Sequence, residues 1–205
     1  MQIHTFFRGG YASNSYFLVT DSEACIIDPS IGYDDVLRYL GGNMPNVKYI
    51  ILTHAHFDHM LDISDWKEKT GATVIVGKDC AAALSDPYLN LFRPFLRKNE
   101  GYFGDYQTVS DGDELTLSGE NFKFIETPGH QAGAIAILSG KYCFVGDTVF
   151  AYGGVGRTDL PGSDHTDLIR SIKKIAALPE DTVIYPGHGE PTYARYLKNL
   201  KISGI

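Results

Sequence analysis

Thr53-His54-Ala55-His56-Phe57-Asp58-His59 places three histidines and an aspartate in one short stretch, directly after the apolar run Tyr49–Thr53 (YIILT). Apolar on both faces, YIILT reads as a buried strand. The sequence from about Asp58 to Thr70 reads as a helix stopped by Gly71. A histidine-rich turn between a buried strand and a helix stands on a rigid platform. Packing three imidazoles and a carboxylate into a core without partners is costly, so the cluster points to metal ligation. His54 and His56, two apart, can aim at one ion, while Asp58 and His59 can turn toward another. The spacing does not suit a pair of histidines at i and i+4 on a helix.

Outward from this stretch the same arrangement recurs three times. Thr127-Pro128-Gly129-His130, Val145-Gly146-Asp147-Thr148 and Tyr185-Pro186-Gly187-His188-Gly189 each follow an apolar, strand-like run. In each, a His or Asp stands beside Gly, which lets the backbone turn tightly and approach a ligand closely. His4 and His165 fall in a strand and at a helix start and receive no role. His54, His56 and His130 can hold one ion, Asp58, His59 and His188 a second, and Asp147 can bridge the two. Imidazole and carboxylate without thiolate suit zinc, iron or manganese, and composition does not choose among them. Two ions about 3.5–4 Å apart would clamp a hydroxide between them.

Strands are expected at Gln2–Phe7, Tyr16–Thr20, Ala24–Asp28, Thr73–Gly77, Glu114–Leu117, Phe122–Thr127, Ala134–Leu138, Tyr142–Gly146 and Thr182–Tyr185. Helices are expected at Tyr33–Leu40, in the Ala-rich run after Lys78, at His165–Ala177 and at Pro191–Leu200. In the third of these, Leu168, Ile169, Ile172, Ile175 and Ala176 share one face, and Ser163 or Asp164 can cap it. Both halves of the chain run strands, then a polar His or Asp loop, then a helix, which suggests an internal duplication. The segment Tyr88–Tyr106, with six aromatics, fits no regular element and reads either as a lid or as a loop packed on the body.

The 205 residues suit one domain, residues 1–205. Hydrophobic residues are 43% and charged residues 21%, which argues against disorder. With 18 Lys+Arg against 25 Asp+Glu the net charge is −7, opposite to the balance of nucleic-acid binders. No apolar run is long enough for a membrane helix. The opening MQIHTFFRGGYASNSYFLV lacks a basic region followed by an apolar stretch, so no secretory leader is expected. Cys25, Cys80 and Cys143 are scattered and odd in number, which fits a reducing cytoplasm, and Cys25 and Cys143, in strand-like apolar runs, read as buried thiols. A small-molecule substrate is the expected partner, and the oligomeric state is left open.

THAHFDH, TPGH, GDT and PGHG, in this order across Thr53–Gly189, resemble the motifs of the metallo-β-lactamase fold superfamily. Asn14-Ser15-Tyr16 and Ile27-Asp28-Pro29 match common features of that family. The resemblance implies an α+β, four-layer αββα sandwich with internal pseudo-duplication and metals at one edge. Gly156-Arg157-Thr158-Asp159-Leu160-Pro161-Gly162 is similar to a stretch of the short glyoxalase II-like (hydroxyacylglutathione hydrolase-like) hydrolases. That likeness implies a thioester hydrolase with two divalent metals, zinc foremost, using a metal-bridging hydroxide on S-D-lactoylglutathione or a related hydroxyacyl thioester. The same seven ligands carry over: His54, His56, His130, Asp147, Asp58, His59 and His188. Asp58 would also orient the hydroxide. Asp28 would support a ligand from behind, or serve only as a strand-end turn residue. Phe92, Phe95 and Arg157 are the expected substrate contacts.

Two departures stand out. Leu61-Asp62 occupy positions where the family often has Gly-Gly, so helix packing near the site should differ. The helical extension that helps glyoxalase II bind glutathione is not expected in the residues after Gly189, which leaves the thiol half of the substrate open. An iron-dependent persulfide dioxygenase, with a single iron on His54, His130 and Asp147, is the alternative, and a lactonase the next. A true β-lactamase is disfavoured, since a Cys or a different second-site set is expected where Asp58-His59 and Asp147 stand.

Overall fold

Two six-stranded sheets, each assembled in sequence order, face one another in the computed structural model, which describes residues 1–198 and 200. The first sheet runs β1 (Gln2–Phe7), β2 (Asn14–Val19), β3 (Glu23–Ile27), β4 (Asn46–Ile51), β5 (Thr73–Gly77), β6 (Gln107–Val109). Its first three strands are antiparallel, and β3 to β6 are parallel. The second sheet runs β7 (Glu114–Leu117), β8 (Glu120–Glu126), β9 (Ile135–Ser139), β10 (Tyr142–Gly146), β11 (Val183–Pro186), β12 (Thr192–Tyr193). Only β10 and β11 are parallel there. Each half of the chain thus builds one sheet, the plan expected of a duplication.

Strand alternation sorts the apolar side chains into layers. Tyr16, Leu18, Cys25, Ile27, Ile51 and Ile75 point between the sheets and meet Phe122, Phe124, Ile135, Ile137 and Phe144. Their neighbours Phe17, Ala24, Ile26, Ile50 and Val74 point outward, onto α1 (Tyr33–Tyr39) and α2 (Ile63–Thr70) through Val36, Ile63 and Trp66. On the opposite outer face, α4 (His165–Ala176) lays Leu168, Ile172 and Ile175 on Cys143, Val145 and Ile184. The result is the αββα sandwich. Asp164 caps α4 by accepting the Asp167 N–H at 2.8 Å, and Gly71 ends α2 in the left-handed region. All three cysteines are buried and free. No helix among the described residues is long and apolar enough to cross a membrane.

Several elements differ from expectation. The helix anticipated from Asp58 is split into a 3-10 turn at Phe57–His59 and then α2. Tertiary bonds hold this stretch off the helical path. The Phe57 N–H donates to the Asn90 carbonyl at 2.8 Å and the Asp62 N–H to the Pro29 carbonyl at 2.9 Å. Asp62, at the departure from Gly-Gly, opens α2 and pairs with Arg8 at 2.6 Å. The Ala-rich run is a 3-10 helix, Lys78–Leu84. α3 (Phe92–Leu96) and the edge strand β6 were not anticipated. The closing helix shrinks to α5 (Ala194–Leu197), because Thr192–Tyr193 pair with β11 instead; residue 199 of the expected helix lies outside the described residues.

Phe144 is fully buried between the sheets and stacks on Tyr185 with ring centroids 5.0 Å apart. Phe144→Ala should therefore cost about 3–5 kcal/mol. Urea unfolding of the two proteins measures the difference, and a loss near zero would mean that the inter-sheet core is loosely packed.

Candidate metal centre

All seven anticipated donors converge on one edge of the sandwich, at the ends of strands. The turn after β4 carries His54, His56, Asp58 and His59, the β8–β9 connection carries His130, Asp147 directly follows β10, and His188 stands just past β11 after Gly187. Three groups of ligand atoms lie within mutual reach: His54, His56 and His130; His54, His59 and Asp147; and Asp58, His59 and His188. His54 Nε2 and His56 Nδ1 are 3.0 Å apart. Asp147 lies between the outer groups, with Oδ1 3.3 Å from His59 Nε2 and Oδ2 3.5 Å from His130 Nε2 and 3.6 Å from His188 Nε2. Asp58 Oδ2 is 3.2 Å from His188 Nε2.

Neighbouring groups aim these side chains. Asp28, 1% exposed, accepts three hydrogen bonds: from the Thr53 N–H, from Thr53 Oγ1 and from His59 Nδ1, each at 2.8 Å. Thr53 Oγ1 in turn lies 3.1 Å from His54 Nδ1. Asp28 thus supports His59 directly and His54 through Thr53, so it is far more than a turn residue. The His130 Nδ1–H donates to the Arg157 carbonyl at 2.9 Å, which leaves Nε2 free for a ligand. Asn14 ties β2 to the His188 loop through the Pro186 and Gly189 carbonyls. Ser30 Oγ donates to the Asp58 carbonyl. Gly187 is needed for space, since a Cβ there would overlap the Asp147 carboxylate and the His59 ring.

The electrostatics are those of a site built for cations. Burial, then the imidazoles of His59, His56 and His130, hold His54 well below its ordinary value. Burial and the His130 imidazole push His56 down to about 3. Burial alone would lower His59 too, but the carboxylates of Asp28, Asp147 and Asp58 hold it well above. Burial would raise Asp147 and Asp58, yet the neighbouring imidazoles outweigh it and keep both below the ordinary carboxylate value. His56 Nε2, His59 Nε2 and Asp147 Oδ1 are buried without any hydrogen-bond partner. Buried polar atoms left unpaired in this way are costly unless a ligand completes them. The residues therefore fit divalent ions, and loading one would displace the proton that the carboxylates favour on His59.

A cavity of about 130 Å³ opens over His56, Asp58, His130 and Asp147, walled by Tyr11, Phe57, Leu91, Phe95, Arg157 and Leu160. Phe95, an expected contact, stands at this wall. Phe92 does not: it is 7% exposed and packs in the core against Phe57. In the aromatic segment Leu91, Phe92 and Tyr102 are buried while Phe95 and Phe103 face out, so it is a packed loop with one edge on the cleft. Arg157 lines the cleft, but its guanidinium is forked onto Asp159 at 2.7 and 2.6 Å. Sequence reading missed Tyr11, which Gly9 and Gly10, both at positive φ, carry to the cleft mouth.

A family model described as the metallo-beta-lactamase superfamily matches residues 8–188. The chain belongs to the metallo-β-lactamase superfamily. A probable metallo-hydrolase, YqgX of Bacillus subtilis, is 32% identical over 90% of this chain and 88% of its own. The hydroxyacylglutathione hydrolase GloC of Haemophilus influenzae is 32% identical over 85% of each. Among solved structures, the BLEG-1 B3 metallo-beta-lactamase superposes with a TM-score of 0.89 at 30% identity, covering 98% of both chains. TTHA1623 in a di-iron-bound form superposes with a TM-score of 0.81 at 28% identity, again over 98% of both.

The titrations set the acid stability of the metal-free protein. Unfolded imidazoles titrate near 6.5, whereas folded His54 and His56 stay neutral far below that, so the unfolded chain binds more protons in between. The lowered carboxyls act in the same direction at lower pH. His59, raised, adds stability that is fully present below 6.5 and is lost only as the pH rises through its folded value. The Tm of chelator-stripped protein should therefore fall as the pH drops from about 6.5 toward 3. A Tm flat over that window would contradict this account of the cluster.

Proposed function

We propose that this protein is a cytoplasmic thioester hydrolase acting on S-D-lactoylglutathione or a related hydroxyacyl thioester, with two divalent ions, zinc first and iron or manganese next. The observation that carries the reading is the pair of donor sets joined by Asp147 at the foot of a small cleft. His54, His56 and His130 would hold one ion, Asp58, His59 and His188 the other, and Asp147 both. Similarity to a hydroxyacylglutathione hydrolase supports the substrate class, and similarity to a di-iron protein supports two ions. Three buried, unpaired cysteines fit a reducing compartment.

When bound, the ions supply a water acidified toward neutral pH and an electrophile for the carbonyl oxygen. The chain's own groups do the rest. Asp58, ionised, orients the attacking water. Tyr11, Phe57, Leu91, Phe95 and Leu160 shield the acyl carbon from bulk solvent. Attack breaks the C–S bond, and the thiolate leaves without a general acid because thiols are already fairly acidic. The cleft is large enough for a short acyl group, so the thiol carrier lies across its mouth, beside Arg157.

Steady-state hydrolysis of S-D-lactoylglutathione by metal-loaded and chelator-stripped protein tests this reading. Metal-dependent turnover is expected, and His56→Ala or Asp147→Ala should abolish it with the circular dichroism unchanged. Turnover surviving in either variant would overturn the ligand assignment. Turnover failing in fully loaded wild type would move the substrate to a lactone, a β-lactam or, with iron, a persulfide.

The two phenylalanines separate by position. Phe95→Ala should raise KM at nearly constant kcat, whereas Phe92→Ala should lower Tm and leave KM alone. The reverse pattern would put Phe92 at the substrate.

A further inference from the structure

Gln131, next to the ligand His130, is a buried amide, 3% exposed. Its Oε1 accepts the N–H of Ala55 at 2.8 Å, the peptide between His54 and His56. Its Nε2 donates to the Leu89 carbonyl at 3.1 Å. Cys80 Sγ donates to the same Oε1 at 2.9 Å from behind. The backbone around Gln131 is held independently: the Ala132 N–H donates to the Gly162 carbonyl at 2.9 Å and the Asp164 N–H to the Gly129 carbonyl at 2.8 Å. Gly133 lies so close to the Asp79–Cys80 backbone that a Cβ would overlap it. The amide is thus a fixed bracket between the His54–His56 turn and the segment carrying Leu91.

We infer that Gln131 is a positioning residue for one metal only, the ion held by His54, His56 and His130. The inference rests on reading the cleft as a metal centre. Ala55 is fully buried, so without Oε1 its N–H has no water to turn to, and the turn loses the bond that holds it between the two imidazoles, leaving His56 without a fixed anchor and His54 with only its Thr53 contact. The Asp58, His59 and His188 group does not depend on this amide, because Asp28 and Ser30 secure it from the other side. Groups that orient metal ligands typically change affinity by roughly 10–100-fold when removed.

The test is cobalt(II) titration of metal-free protein, followed by visible absorption, with metal content measured after dialysis. Wild type should retain two ions. Gln131→Met keeps the volume and removes both hydrogen bonds; it should retain one ion, bind the other roughly 10–100-fold more weakly, and show altered cobalt bands. Gln131→Asn draws the oxygen one methylene away from Ala55 and carries the same expectation, so the test stands if the methionine variant does not fold. Leu84→Ala, a packing loss in the same core cluster with no bond to the amide, should lower Tm and leave the cobalt bands and stoichiometry alone. Two ions bound to folded Gln131 variants with wild-type affinity and spectrum would overturn the inference. So would equal loss of both ions, which would mark a general structural role. Wild type that binds no cobalt would instead overturn the metal reading itself.

Discussion

The carboxylate of Asp28 is the constraint on which the site depends. It is buried, it sits at φ 53 in a region that side chains avoid, and it accepts three hydrogen bonds at once. A buried carboxylate is tolerable only when its lone pairs are so filled. Two of the bonds fix Thr53 at the end of the strand run, and through its hydroxyl the ring of His54; the third fixes His59. Backbone strain persists where the surroundings over-determine it, and here it places one charge behind both donor groups.

Around that anchor the site holds more imidazole and carboxylate than its own hydrogen bonds can satisfy. The His54 and His56 rings press against each other and against His130, their charged forms disfavoured by burial. Carboxylates surround His59 from three sides. Such an arrangement is stable without ions only by leaving some atoms orphaned. Glycine at 187 permits the crowding, because any side chain there would fill the space into which His59 and Asp147 converge.

Much of this was legible in the sequence because the ligands are short motifs at the ends of apolar strands. Short apolar runs and punctuation by Gly place those strands without tertiary information. The supports were less legible. Asp28 acts through Thr53, a pairing set by two parallel strands meeting. Tyr11 reaches the cleft only because of the loop path after β1. Phe92 and Phe95 look alike in sequence, yet α3 turns one into the core and the other to the cleft. The split of the Asp58–Thr70 helix was equally hidden, since the bonds that break it, to Pro29 and Asn90, come from distant segments.

The two sheets are built from consecutive halves of the chain, and the donors are divided between them: His54, His56, Asp58 and His59 from the first, His130, Asp147 and His188 from the second. Neither half holds a full set. An ion seated there is a clasp between two separately woven cloths, closing loops far longer than any local turn and removing chain freedom accordingly. Coordination is then inseparable from the docking of the halves. Ions held by donors from both halves would be weakened by any parting of the sheets along the seam, so metal content would report the closure of the sandwich, which strand content alone does not.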